Sequence, residues 1–263
     1  MILFFLASFA TIQALTEFLP ISSSAHIILL SKLFGLKNIA FNENNDLMMA
    51  ISLHLGSLLA VVIFYCKDIF QMLTFKNITL IWKMFFAFLP VAIIGGIIAI
   101  KNISLPESTT IIGIMLIIFG IILYAADKFG QSTKEIKSIN VGQAFIIGCA
   151  QLIALIPGVS RSGITITTAR IIGMKRDAAV KFSLLLSIPT IGASAFLLVY
   201  KIITQPFYTK QFSILYIYAT AFALSAIVSY FVLRLFVKVA NRFTFFPFVI
   251  YRIILGALLL IFV

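Results

Sequence analysis

What this chain has little of is charge, above all negative charge. It contains 8 Asp and Glu in 263 residues, and charged residues of either sign make up 11%. An ordinary soluble domain carries about 25%, so that class is excluded. The two cysteines, Cys66 and Cys149, lie in or beside apolar runs and far apart in sequence. That placement argues against a disulfide framework and against a metal knuckle. No Lys or Arg precedes Lys32. A cleaved secretory leader needs a basic n-region, so the apolar start reads as retained structure. The apolar runs also lack in–out alternation, which disfavours a β-barrel.

What is present is hydrocarbon. Hydrophobic residues make up 62% and the mean hydropathy is +1.16. Apolar segments run over 47–66, 80–100, 109–127, 178–200, 213–236 and 246–263, each near the roughly 20 residues that cross a bilayer core of about 30 Å. The formal net charge is +12, but its carriers are scattered through short loops. They do not gather on one face or in a tail, so they read as topogenic charge and nucleic acid is not expected as a partner.

Two regions, 1–35 and 139–175, differ from the rest. Each has an apolar run, a Pro–Ser break, and then a stretch too short to cross, Ile27–Gly35 in the first and Ile164–Gly173 in the second. Such pieces fit re-entrant pairs that return to the side they entered from. With that assignment five basic residues (Lys32, Lys37, Lys101, Lys201, Lys210) fall on the side of the N-terminus and thirteen on the other. The positive-inside rule makes the second side cytoplasmic and both termini extracytoplasmic. The expected fold is an all-α polytopic integral membrane protein, built as one membrane domain from two repeats, 1–138 and 139–263. Each repeat holds a re-entrant pair and three crossings. Three is odd, so the second copy is inverted.

The strongest sign of duplication is a polar phrase that occurs twice. Gln13, Ser22 and Ser24 recur 138 residues later as Gln151, Ser160 and Ser162, with Pro20 and Pro157 one residue out of register. Ile111–Leu116 also aligns approximately with Ile250–Leu255, and Gly56 with Gly192. Polar groups inside apolar segments are costly and by default mark a site; two broken copies suggest the halves of one cavity.

Glu17 is the only acidic residue in 1–35. Gln13, four residues earlier, shares its helical face, and the two oxygens would suit a hard cation, Mg²⁺ or Ca²⁺. Ser22, Ser23 and Ser24 follow Pro20, and His26 shares a face with Ser23 if the second arm is helical, which suits a hydroxyl nucleophile beside an acid or base. In Pro157-Gly158-Val-Ser160-Arg161-Ser162-Gly163, backbone N–H groups and hydroxyls can face an anion, and Arg161 adds a fork matched to phosphate oxygens. His54 reads as a structural helix contact, Arg252 as a partner for a backbone carbonyl across a helix interface, and Arg170 and Arg176 as topogenic charges.

On Gln13-x-x-x-Glu17, on Glu17-Phe-Leu-Pro-Ile-Ser-Ser-Ser-Ala-His26, on Pro157–Gly163 and on Phe246–Arg252, the chain resembles the undecaprenyl-diphosphate phosphatase family. These are the integral membrane proteins associated with bacitracin resistance. The likeness covers essentially the whole chain. It implies release of the terminal phosphate of undecaprenyl diphosphate, a divalent cation, and a site facing the outer side of the bacterial cytoplasmic membrane. By position, Glu17, Ser23, His26 and Arg161 become the central residues, with Gln13 at the first place of an (Glu/Gln)-x-x-x-Glu motif. Attack by Ser23, by His26 or by water stays open at this point. So does transport of the lipid carrier, since inverted repeats with broken elements are transporter architecture. Membrane lipid is the expected surrounding partner, and a homodimer is left open.

Overall fold

The computed structural model describes residues 2–33, 43–101, 103, 108–204 and 215–262. The outermost residues of three expected segments (1, 34–35, 213–214 and 263), together with Lys37 and Lys210, lie outside the described residues. Among those described there is no strand, only helix and loop. Helix α1 covers Ile2–Thr16, α2 Ser23–Leu33, α3 Glu43–Phe64, α4 Cys66–Leu73, α5 Ile78–Ile100 and α6 Thr109–Phe129. Helix α7 covers Val141–Gln151 and runs into a 3-10 turn over Leu152–Leu155; α8 is Arg161–Ile171, α9 Arg176–Thr204, α10 Leu215–Ala240 and α11 Phe246–Phe262.

Among the described residues four helices are long and apolar enough to cross a membrane: α5, α6, α9 over Arg176–Tyr200 and α10 over Tyr216–Ala240. Helix α3 from Met48 onward and α4 pass the same test only when taken together, and that pair is bent by 80°. The run expected at 47–66 therefore ends at Phe64. The physical reason is that the next stretch carries Lys67, Asp68 and Gln71, and Asp68 is held by Lys181 at 2.6 Å, which draws α4 out of the apolar direction. The last expected span is a helix of 17 residues, at the short end of what crosses. Large apolar side chains on α5, including Phe85, Ile93, Ile97 and Ile100, are exposed. In a helix this apolar, that outward face is covered by lipid. The chain is a polytopic membrane protein.

The two short arms behave differently from the spans. Helices α2 and α8 have 11 residues each, about 16 Å, roughly half a bilayer core. Each packs back on the helix before it, α2 on α1 and α8 on α7. Around them α3 packs on α9 and on α10, α1 on α10, α5 on α7, and α6 on α11. The α6–α11 approach depends on paired glycines. A Cβ on Gly256 would stand 2.7 Å from the Gly113 carbonyl oxygen, and one on Gly113 3.0 Å from that of Gly256. Small residues of this kind let helix backbones close without a hydrophobic drive in lipid.

Arg170 and Arg176, read from sequence as topogenic charges, both pair with one buried carboxylate, that of Asp127. The Asp127 carboxylate accepts from Arg176 Nε at 2.6 Å, lies 3.2 Å from Arg170 Nε, and accepts the Phe245 backbone N–H at 3.0 Å. Arg170 is 1% exposed, so one carboxylate joins the last turns of α6 and α8 to the starts of α9 and α11.

Candidate functional site

The first break starts where α1 runs out of partners. Glu17 N–H still donates to the Gln13 carbonyl at 2.9 Å, so Glu17 extends the helical face of Gln13. Pro20 has no N–H to continue the ladder. The chain turns through Ser22, whose φ is +72°, and α2 begins at Ser23. The second break repeats this geometry. Gly158 has φ +96° and Ser160 φ +74°, and α8 begins at Arg161. Left-handed conformations at non-glycine residues are uncommon and strained, yet Ser22 and Ser160 share one. Their hydroxyls are also bonded alike, Ser22 to Ser24 at 3.2 Å and Ser160 to Ser162 at 3.1 Å. Ser160 caps α8 by accepting the Gly163 N–H at 3.1 Å.

The two breaks are tied together. Ser162 Oγ donates to the Leu19 carbonyl at 2.9 Å. Arg252, fully buried, donates to the carbonyls of Pro20 (3.0 Å), Gly158 (3.0 Å), Val159 (3.1 Å) and Leu116 (3.1 Å). It does pair with backbone carbonyls across a helix interface, but with several at once and from both breaks. A planar fork with five donors suits that task.

This brings Glu17 and Arg161 into contact across 144 residues of sequence. Arg161 donates to Glu17 Oε1 at 3.0 Å. Glu17 Oε2 accepts from Gln13 Nε2 at 2.7 Å and from Ser23 Oγ at 3.2 Å. Gln13 Nε2 also lies 3.1 Å from His54 Nδ1, which stands 3.6 Å from Glu17 Oε2. An amide nitrogen has two hydrogens, so one serves the carboxylate and the other the imidazole. His54, which sequence reasoning set aside, thus joins the cluster. Its only local signal was a polar residue within an apolar helix.

His26 is placed otherwise. Its Nδ1 lies 2.7 Å from the Ser22 carbonyl and its Nε2 2.6 Å from the Tyr251 hydroxyl. A carbonyl can only accept, so Nδ1 carries the hydrogen and Nε2, in the neutral ring, accepts from Tyr251. Both ring nitrogens are occupied outside the Glu17 cluster. Tyr251 was not among the residues expected at the site; it stands beside Arg252 in the closing segment.

Two buried polar atoms in the cluster have no partner among the described residues, Arg161 NH1 and Gln13 Oε1. Buried groups of this kind are normally satisfied. The free guanidinium nitrogen stands at the start of α8, where N–H groups and the helix dipole favour an anion. The free amide oxygen belongs to the side chain whose nitrogen bonds the Glu17 carboxylate. Among the described residues no group of three or more His, Cys, Asp and Glu gathers as a metal site. The Glu17 carboxylate and the Gln13 amide oxygen are donors of the type a hard cation takes, and such an ion would draw the rest of its shell from phosphate and water.

The sequence model of the family described as "Bacitracin resistance protein BacA" matches residues 6–258. The chain belongs to this family. Among its relatives, the undecaprenyl-diphosphatase of Roseobacter denitrificans is 36% identical over 274 aligned residues, covering 100% of this chain and 99% of its own. That of Hahella chejuensis is 38% identical over 263, covering 96% and 95%. That of Sulfurimonas denitrificans is 38% identical over 258, covering 95% of each chain. All the residues of the two BacA-family breaks described above lie within the matched span.

Proposed function

We propose that the protein hydrolyses undecaprenyl diphosphate to undecaprenyl phosphate and inorganic phosphate. This would recycle the lipid carrier of cell-wall synthesis and reduce sensitivity to bacitracin. The full-length likeness to undecaprenyl-diphosphatases supports the substrate. The observation that carries the chemistry is Arg161, bonded to Glu17 on one side and left with a buried, unpartnered NH1 on the other. A phosphoryl oxygen satisfies that nitrogen.

In this reading the terminal phosphate lies between the N-termini of α2 and α8. Arg161 and the N–H groups of the second break, around Gly158, Ser160 and Ser162, hold its oxygens as charge develops, the main lever in phosphoryl transfer, while the Gly163 N–H stays on the Ser160 cap. Ser22 and Ser24 shape the facing turn. Ser23 Oγ attacks the terminal phosphorus and passes its proton to Glu17, with which it already shares a hydrogen bond. The bond from phosphorus to the bridging oxygen breaks and undecaprenyl phosphate leaves. Water then opens the phosphoserine, restoring Ser23 and releasing phosphate. His26, held by Ser22 and Tyr251, fixes the first turn of α2. A divalent ion held by Glu17 and Gln13 would neutralise charge on the diphosphate.

The architecture belongs to the same proposal: two inverted repeats, 1–138 and 139–263, each with a re-entrant pair, in the bacterial cytoplasmic membrane with the site open to the outer side. The matched φ values at Ser22 and Ser160 support the repeat. So does the packing, in which α5 on α7 is mirrored by α10 on α1, while α3 meets α9 and α6 meets α11. A carrier that only flips the lipid has no use for a serine bonded to a carboxylate. The deciding experiment is phosphate release from a polyprenyl diphosphate by the purified protein, with and without chelator. Transbilayer movement of the lipid with no phosphate released would reject the phosphatase.

A further inference from the structure

Away from the site, the bend after α3 frames a second polar feature. A cavity of about 560 Å³ is lined by Gln71, Lys76, Asn77, Thr79, Lys83 and Lys137, with Leu80 and Ile136. Its walls are the turn between α4 and α5, the first turns of α5, and the loop before α7. Lys83 is 3% exposed. Its ammonium donates to the Ile136 and Lys137 carbonyls at 2.8 and 3.2 Å, which satisfies two of its three hydrogens but none of its charge. Among the described residues no acidic side chain lines the cavity. The neighbouring acids are engaged elsewhere, Asp68 by Lys181 and Glu135 by Lys175. Three lysines thus converge without a counter-ion, and one is buried, where an unpaired charge is costly.

We infer that this cavity binds the phosphate of an anionic phospholipid head group. A phosphate supplies the missing negative charge, while Asn77, Thr79 and Gln71 offer neutral hydrogen bonds to the glycerol or head-group hydroxyls. The choice of a lipid over a free anion rests on the rim. Helix α4 turns by 80° from α3, the orientation of a helix lying along a bilayer surface. Around it Phe70, Leu73, Phe75, Ile78 and Trp82 are exposed, an apolar border along which acyl chains can run. Lys83 sits five residues into α5, about 7.5 Å below its start, at a depth suited to a head group and not to bulk water. This face is also the one that holds most of the basic residues, and basic pockets between helices on such a face recognise anionic lipids.

The test uses the full chain in detergent, titrated with phosphatidylglycerol and with phosphatidylcholine and followed by intact-complex mass spectrometry. Wild type should retain phosphatidylglycerol in preference to phosphatidylcholine. Lys76→Gln/Lys137→Gln, which leaves the buried lysine in place, should bind phosphatidylglycerol about thirtyfold more weakly, at the usual contribution per lysine near a membrane surface. Lys83→Met should lose the preference altogether. Phosphate release by the double variant in phosphatidylcholine should equal that of wild type, which keeps a loss of lipid distinct from a loss of fold. Equal phosphatidylglycerol affinity for wild type and the double variant would overturn the inference. So would full displacement of the lipid by millimolar inorganic phosphate, which would identify a free-anion site instead.

Discussion

Arg161→Lys is the most informative single substitution. In the structure the guanidinium divides its work, one terminal nitrogen on Glu17 Oε1 at 3.0 Å and the other buried and free. Lysine keeps the charge but offers one nitrogen where arginine offers two. It can hold Glu17 or reach the phosphoryl oxygen, but not in the same fork. The loss is then about one charge-assisted hydrogen bond, roughly 1.5–3 kcal/mol, or about 10- to 150-fold in kcat/KM. Arg161→Ala removes both contacts and leaves a buried carboxylate uncompensated, a cost of about 3–5 kcal/mol, so activity should fall by a further order of magnitude or more. The assay is phosphate release under steady-state conditions, with thermal unfolding in detergent to show that Arg161→Lys still folds. Turnover by Arg161→Lys within about twofold of wild type would refute the division of labour between the two nitrogens. Full activity of Arg161→Ala would remove the residue from the site.

The remaining predictions concern the ion, the clamp and the topology. Chelation should inhibit phosphate release; Gln13→Glu should lower the Mg²⁺ or Ca²⁺ concentration for half-activity and Glu17→Gln should raise it or end activity, whereas superimposable titrations for all three proteins would place the ion elsewhere. Arg252→Met strips donors from carbonyls of Pro20, Gly158, Val159 and Leu116 and should lower stability by about 3 kcal/mol or more, read as a fall in Tm together with lost activity; an unchanged Tm would mean the breaks hold together without it. A reporter active only in the cytoplasm, fused to the C-terminus, should stay silent, and a strong signal would mean that one of the short helix pairs spans the membrane and that the repeats are not inverted.

Some of this was readable in the chain itself, because it depends on local sequence. The poverty of charge and the length of the apolar runs make a polytopic helical membrane protein unavoidable, since every backbone group in lipid must be satisfied within a helix or a closed barrel. The break at Pro20, the second at Pro157–Gly158 and the recurrence of Ser22 and Ser24 as Ser160 and Ser162 are equally local. They singled out Glu17, Ser23, His26 and Arg161; the structure bonds Ser23 and Arg161 to the Glu17 carboxylate and holds His26 apart, on Ser22 and Tyr251. What tertiary packing alone decided is how distant helices meet. Only the approach of α3 sets His54 beside Gln13 and Glu17, and only α11 delivers Arg252 to both breaks and Tyr251 to His26. Hydropathy could not separate a lipid-facing arginine from one buried among carbonyls, nor show that Arg170 is locked onto Asp127, because it records how apolar a stretch is and not which face of it is turned inward. The 80° turn after Phe64 was hidden for a related reason. An apolar run ends in sequence where its composition changes, but its direction in space is set by what its first acidic residue finds to pair with, here Asp68 with Lys181.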